Sequence, residues 1–518
     1  MLRLVPDPST AGSAVSDAPA RGALTRLFLA NTGANLILRV IAAAMSLWAT
    51  AWVIEVYGTE RFGLFALALQ LSGLVGALAP GLAGAYTREI AALAGRGQTA
   101  ALRAMVRLAG SWLAALGILL GGSLALFAWA GGVGLFRLPA PLIDEGRVIF
   151  ALAGLLLTLR FAGNVFGDTL AGLQEYPRLA GVRAAAAIGG SVTTLLVARA
   201  AEPLWMVLGA LAAVRAAEAL ILAAVTWRRL PAPAGEEPPA RELLGSLWRI
   251  GAPLALMQLA SLIFYQTDHV ILGVMVSAEA VTAYHVTARL HNLVREFQGT
   301  LGSALMPLVA REAARGNRSA VEQVLYRGTR YHLALVLPVV GTAMIFSGDF
   351  LRIWLGAEWQ RWALPAAVFV SYWAFAGLTN FPGQSAIAQA QVRRLSAIAL
   401  VAAVLNLALS VALAPRFGVW GVVAGTLAGY ALALPAQFRF VFPPLGIDAG
   451  RFLREVVLPV YPAALLAAGL MLALRRWLPP PSGVLTLLAE GAVSAVIFGS
   501  LLTLSAWWWP RRTAASSR

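Results

Sequence analysis

The stretch GTERFGLFALALQL at 58–71 returns in altered form as SAEAVTAYHVTARL at 277–290, matching Glu60 to Glu279 and Leu71 to Leu290. Two further matches follow in the same order. GRGQTAALRAMVR, ending at Arg107, resembles ARGNRSAVEQVLYR, ending at Arg327. PLWMVLGALA at 203–212 lies over GVWGVVAGTLA at 418–428, pairing Trp205 with Trp420. The chain therefore reads as two copies of one unit, offset by roughly 215–220 residues.

Apolarity says what the unit is made of. Of 518 residues, 59% are hydrophobic and 12% charged, with mean hydropathy +0.75. A soluble chain runs about 45–50% apolar and about 25% charged, so a water-facing globule of this size is excluded. A spanning helix needs about 20 mostly apolar residues. Fourteen segments meet that test: 28–54, 62–86, 109–131, 148–170, 184–201, 204–226, 251–275, 280–308, 331–347, 363–389, 395–413, 419–441, 455–474 and 485–508. Lipid offers the backbone no hydrogen-bond partner, so all are read as α-helices. The repeat contains an even number of them, which gives its copies one orientation, as in parallel transporter repeats about an axis along the membrane normal.

The expected fold class is thus an all-α polytopic membrane protein with about 14 transmembrane helices, two parallel six-helix lobes and a C-terminal helix pair. The division reads as a disordered cytoplasmic tail at 1–26, an N-lobe at 27–227 and a cytoplasmic linker at 228–250. A C-lobe at 251–442, helices 13 and 14 within 443–510 and a tail at 511–518 complete it. The linker is rich in Pro and charge and is expected to end in a short interfacial helix. The first 26 residues lack the apolar core of a signal peptide.

Charge orients the bundle. There are 40 basic residues against 24 acidic ones, all of the basic ones Arg, for a net charge of +16. A cytoplasmic N-terminus puts 25 arginines in inner segments and nine in outer loops, a positive-inside pattern with both termini cytoplasmic. That pattern accounts for the basic excess without nucleic acid. The chain has no Cys, which excludes disulfides, thiolate metal sites and Cys nucleophiles. With no Lys and no G-x-x-x-x-G-K-[ST], nothing points to ATP use.

Six arginines fall inside the expected spans: Arg39, Arg160, Arg215, Arg289, Arg295 and Arg439. An Arg at helix centre costs about 2.5–3.5 kcal/mol on insertion scales and belongs in a water-filled cavity or beside a partner. Arg439, at a helix end, can snorkel. Arg215 has Glu218 three residues on, the spacing of an intrahelical ion pair, so its structural and substrate-facing roles both stand. Arg160 has no local acid. In the eighth segment His285, Arg289, Asn292, Glu296, Thr300 and Ser303 share one face, with Arg295 and His291 beside it. So long a polar stripe faces water or protein rather than lipid. Segment 1 carries Asn31, Asn35, Arg39 and Ser46; segment 7 carries Gln258, Ser261, Tyr265 and Asp268; Gln70 aligns with Arg289. Interior arginines outnumber Glu218, Asp268 and Glu296, and a cationic cavity fits an anionic substrate. Guanidinium is always charged and matches phosphate with paired hydrogen bonds.

VYGTERFGLFALALQL, GAPLALMQLASLIFYQTDHVILGVM and FGVWGVVAGTLAGY, with the two parallel halves, resemble the polysaccharide-biosynthesis flippases, including the O-antigen and lipid II flippases. These belong to the superfamily that also holds the multidrug and toxic-compound exporters. The resemblance covers roughly residues 27–508. It implies a V-shaped pair of lobes in the bacterial inner membrane, alternating between inward-open and outward-open states. It implies movement of undecaprenyl-diphosphate-linked oligosaccharide to the periplasmic leaflet for lipopolysaccharide O-antigen or similar surface polysaccharide. The protein would act as a monomer among membrane lipids, beside polysaccharide-assembly proteins. Arg39 and Arg289 or Arg295 match the arginines that engage the diphosphate in such relatives. Helices 13 and 14 are similar to the pair that forms a lipid-tail groove there. Asp268, Asn406 and Thr426 stand where those relatives bind sodium. Ser410 departs from the pattern, replacing a second carboxylate. The implied cofactor requirement is none beyond coupling to Na+ or H+. Other readings weighed are a cation-coupled exporter of organic cations, which needs an acidic pocket, and a membrane glycosyltransferase or polymerase. The second needs a catalytic pattern that the short outer loops, with Asp144, Glu145, Asp349 and Glu358, do not show. A transporter without catalytic residues is expected.

Overall fold

The structure is a computed structural model that describes residues 21–76, 80–315, 318–388 and 392–515. Side chains are described over the same ranges except 21–40, 80–82, 244, 246–260, 300–314, 318–320, 388, 392 and 507–515. No strand occurs among the described residues. The helices are α1 (Arg21–Gly76), α2 (Pro80–Gly95), α3 (Thr99–Trp129), α4 (Leu142–Gly172), α5 (Tyr176–Arg199) and α6 (Leu204–Arg229). They continue with α7 (Ala240–Met275), α8 (Ala278–Ala314), α9 (Arg318–Ile345), α10 (Ser347–Leu355), α11 (Ala363–Ala388) and α12 (Val392–Phe417). Last come α13 (Val419–Phe440), the single turn α14 (Ala449–Phe452), α15 (Leu458–Arg475) and α16 (Val484–Ala515).

A straight helix of α1's 56 residues would run about 84 Å, far beyond a hydrocarbon core of about 30 Å. Gly58 breaks it, with φ 81° and ψ 169°, a conformation that only glycine adopts without strain. The two arms of α1 are thus segments 1 and 2. Segment 62–86 is occupied by the second arm of α1 as far as Gly76 and by α2 from Pro80, with 77–79 outside the described residues. α1 also begins at Arg21, inside the expected tail, α7 runs unbroken from Ala240 where a separate interfacial helix was expected, and α16 reaches Ala515. α9 and α10 form a pair bent by 59° where an outer loop was expected. By length and apolarity, ten helices among the described residues can cross a membrane, or eleven with the bent pair taken as one span, a count that takes both arms of α1 together and neither reaches nor excludes fourteen crossings. α8 is as long as any of them, but its polar residues keep it off that set.

Glycines set the closest packing. A Cβ on Gly121 or Gly154 would lie 2.3 Å from the other's carbonyl oxygen, so α3 and α4 meet backbone to backbone. Gly421, Gly425 and Gly429 recur every four residues along α13 and press on Leu413, Ser410 and Asn406 of α12 in the same way. The sequence-related stretches 58–71 and 277–290 also touch. A Cβ on Gly63 would strike the Ala278 carbonyl, Thr282 Oγ1 donates to the Thr59 carbonyl at 2.5 Å, and the Phe62 ring stands edge-on to His285. Asp144, Glu145 and Asp349 have structural partners. Glu145 accepts from Arg61 at 3.0 Å, Asp144 pairs with Arg147, and Asp349 pairs with Arg475 of α15 at 2.5 Å.

Candidate functional site

Two polar chambers and one buried carboxylate network hold most of the described candidates. The first chamber lies among the second arm of α1, α4, α5 and α6 and has a volume of about 590 Å³. Arg160 of α4, Arg183 of α5 and Arg215 of α6 line it, with Asn164 and a single carboxylate, Glu218. Arg215 Nη1 donates to Glu218 Oε2 at 2.5 Å, so the i,i+3 pair read from the spacing forms and still faces the chamber. Arg160 is exposed to the chamber with no ion-pair partner among the described residues. Its net lining charge is positive, as a phosphate-bearing ligand requires. Arg183 was missed at the sequence level because the helix start was placed at 184. Pro177 in the first turn of α5 marks the true start, and a helix from Tyr176 carries Arg183 inward.

The second chamber, about 130 Å³, lies between α1's second arm and helices α7, α8, α11 and α13. Gln70 Nε2 donates across it to Gln266 Oε1 at 2.5 Å. His285, Asn292 and Arg295 line it as expected, together with His269, His291, Tyr265 and Tyr284. Arg295 lies over the Tyr265 ring, 5.2 Å from its centre. His291 stacks on Phe369 at 3.8 Å, with Nδ1 3.0 Å from the Phe369 carbonyl. The expected wet face is therefore rotated: Arg289 and Glu296 do not line this chamber, whereas Arg295 and His291 do. Tight contact of α8 with the Gly63 region accompanies this, since it turns the 278–282 side toward α1. Arg289 Nε is buried with no hydrogen-bond partner. Asn35 and Arg39 lie on α1, but their side chains, like those of Thr300 and Ser303, fall outside the described residues.

Beneath the second chamber sits Asp268, 1% exposed. Tyr284 Oη donates to its Oδ2 at 2.6 Å. The Thr426 hydroxyl is 3.3 Å from the same oxygen and 3.0 Å from the Val422 carbonyl, and its single proton serves one of them at a time. Asn406 Nδ2 donates to Thr426 Oγ1 at 2.8 Å, and the Ser410 hydroxyl faces the carboxylate. Glycine contact between α12 and α13 makes this possible by bringing Asn406 and Ser410 against the Thr426 turn. Asp268 Oδ1 and Asn406 Oδ1 are buried and accept from nothing. The Asp268 carboxylate, the Asn406 amide oxygen and the hydroxyls of Ser410 and Thr426 fit a hard cation, which takes oxygen ligands. With one carboxylate the set supplies a single neutralising charge.

Residues 125–364 match the family model described as polysaccharide biosynthesis protein. The chain is 23% identical over 435 residues, 81% of its own length and 83% of the relative's, to an uncharacterised membrane protein, EpsK, of Bacillus subtilis. It is 22% identical over 165 residues, 32% of the chain and 35% of the relative, to a probable low-salt glycan biosynthesis flippase, Agl15, of Haloferax volcanii. Among solved structures, the lipid II flippase MurJ in an inward closed conformation superposes with a TM-score of 0.69 at 12% identity, covering 90% of this chain and 98% of that one. At that identity the likeness is one of fold. The chain is thus a multi-pass membrane protein that over residues 125–364 is similar to the polysaccharide biosynthesis proteins, and its fold is that of the lipid II flippase and multidrug transporter structures.

Proposed function

We propose that the protein moves an undecaprenyl-diphosphate-linked oligosaccharide from the cytoplasmic to the periplasmic leaflet of a bacterial inner membrane by alternating access, in surface-polysaccharide synthesis. The observation that carries this reading is the set of three guanidinium groups, Arg160, Arg183 and Arg215, around a chamber with Glu218 as the only carboxylate among its described lining residues. A chamber for organic cations needs the opposite sign. Arg39 and Arg289 remain part of the proposed path, and the buried, unpartnered Nε of Arg289 supports that role. So does the lining formed by His285, Asn292, Arg295 and Gln70, with Glu296 next to Arg295 in mid-α8.

Asp268, Asn406, Thr426 and Ser410 would hold the coupling cation. A bound cation there supplies charge compensation for a carboxylate that otherwise sits in a dry interior. The division into two six-helix lobes, with cytoplasmic termini, is retained in this proposal. The contact between the repeat-related stretches at Gly63 and Ala278 supports it. The test is translocation of lipid-linked oligosaccharide in proteoliposomes, with Arg160→Gln, Arg183→Gln double substitution at matched incorporation. Transport should fall at least tenfold, while uptake of a lipophilic organic cation should be absent in the wild type. Robust export of the cation, unaffected by the substitutions, would transfer the protein to the exporters.

A further inference from the structure

A lipid whose head crosses through protein while its chain stays in the bilayer must pass the link between them through a seam in the wall. Only certain seams qualify: one side must open on the polar chamber and the other on lipid. The first arm of α1 and α5 form such a seam. On its inner side is a cavity of about 290 Å³, lined by small residues including Ala49 and Thr50 of α1 and Gly190 and Thr194 of α5. Arg215, Ala187 and Leu211 line both this cavity and the 590 Å³ chamber, so the two adjoin. On the outer side is a groove of about 230 Å³ formed by Met45, Trp48, Trp52, Val192, Leu195 and Leu196, with Arg199 at its rim. Trp48 is 56% and Leu196 61% exposed on this lipid-facing side.

The seam is weakly fastened. Thr50 donates to the Ser46 carbonyl, Ser191 to Ala187 and Thr194 to Gly190, each within its own helix. Among the described residues no hydrogen bond crosses from this stretch of α1 to α5. The crossing contact lies above it, where Tyr57 Oη donates to the Glu202 carbonyl at 2.5 Å, beside Ala201 with φ 54°. Arg199 has no acid partner among the described residues, and the groove's other walls are apolar.

We propose that the α1–α5 groove binds the polyprenyl chain of the transported lipid, while its diphosphate lies inside between Arg215 and the α1–α5 seam, with Arg199 at the groove's rim. The proposal rests on the flippase reading above. The groove spans the last turns of the first arm of α1 and of α5, so with cytoplasmic termini it opens on the periplasmic leaflet and serves exit. The chain thus has a tail site in the first half, apart from helices α15 and α16.

The absence of native cysteine or lysine leaves labelling chemistry clean, and the test uses a photoreactive benzophenone residue at Leu196 or, as control, at Leu126, 70% exposed on α3. Full-length protein is reconstituted with undecaprenyl-diphosphate-linked disaccharide in phosphatidylglycerol–phosphatidylethanolamine vesicles and irradiated without turnover. The expected product at position 196 is the polyprenyl lipid, at least tenfold enriched over its product at 126. Bulk phospholipid at both positions in equal proportion would overturn the proposal. In parallel, Leu196→Trp with Val192→Trp fills the groove from the lipid side, where no core packing is disturbed. It should slow translocation of the undecaprenyl substrate at least tenfold but leave a ten-carbon diphosphate analogue unchanged. Equal rates for both substrates in that variant would also overturn it. If the wild type translocates neither substrate, the flippase reading fails, and the cross-linking result stands apart from it.

Discussion

Replacing Arg215 by Ala separates a substrate-binding arginine from a structural one, because the structure fixes what each role predicts. Arg215 pairs with Glu218 at 2.5 Å, with side chains 49% and 11% exposed. An ion pair with one partner half in water is worth about 0–1 kcal/mol, so its loss leaves the fold standing. Glu218 then loses its partner in a partly dry chamber, a cost of about 1–3 kcal/mol that acts on stability rather than on transport. A diphosphate gripped by Arg215 forms charge-assisted hydrogen bonds of about 1.5–3 kcal/mol each. At about 1.4 kcal/mol per decade, Arg215→Ala should lower apparent affinity or rate by one to two decades. Arg215→Lys keeps the charge but not the planar fork, and should restore part of it. Glu218→Gln frees the guanidinium and should leave transport equal to wild type or better. The assay is translocation of lipid-linked oligosaccharide in proteoliposomes, with thermal unfolding measured on the same samples. Equal losses for Arg215→Ala and Glu218→Gln, tracking a common drop in stability, would show that the pair only fastens α6 and would refute the substrate role.

Gly425→Val should destabilise the protein by several kcal/mol, about 1–3 from overpacking plus the lost Asp268 cluster, because a Cβ there already falls 2.5 Å from Ser410 Oγ; melting temperature checks it. Asp268→Asn should abolish the ion dependence of transport with the folded fraction unchanged. Ser410→Asp, which adds a second carboxylate to the same set, should tighten cation dependence severalfold, and unaltered ion titrations in both variants would remove the site. A periplasm-active reporter fused after Glu236 or at the C-terminus should be silent; a strong signal from either reverses the topology. Arg439→Ala, at the end of α13, should transport like wild type, and a tenfold loss would make Arg439 part of the path.

The helices were legible because apolar runs of about 20 residues have one reading in lipid. Their joints were less so. Gly58 sits in a stretch whose composition alone permits either a loop or a bend, and only the backbone shows φ 81°. The bent α9–α10 pair reads as an outer loop because Asp349 and Arg352 break the apolar run, whereas both charges are satisfied locally and by Arg475. Arg160, Arg215 and Asp268 were found because an ionisable group in a span is conspicuous. Arg183 was not, since it fell one residue outside an apolarity boundary. The face of α8 was read about one position off: a helical wheel shows which residues share a side but not which side a neighbour occupies. At Gly63 that neighbour is α1, and it takes the 278–282 face by backbone contact.

The two sites carry opposite charge, and under the flippase reading that difference has an energetic consequence. The 590 Å³ chamber has three arginines to one carboxylate, while the Asp268 network holds one carboxylate and no cationic side chain among its described partners. An anionic head and an inorganic cation therefore do not compete for one set of groups; each can be bound while the other is absent or present. An interior-negative potential contributes about 2.3 kcal/mol per elementary charge per 100 mV, favouring outward movement of the diphosphate and inward movement of a cation. Both movements run with the field when the cation enters as the lipid head leaves. Tyr284 joins the cation site to the smaller chamber, which it lines while its hydroxyl donates to Asp268. Binding at Asp268 withdraws or strengthens that hydrogen bond, so the state of the cation site is felt at the chamber wall without any contact between cation and lipid.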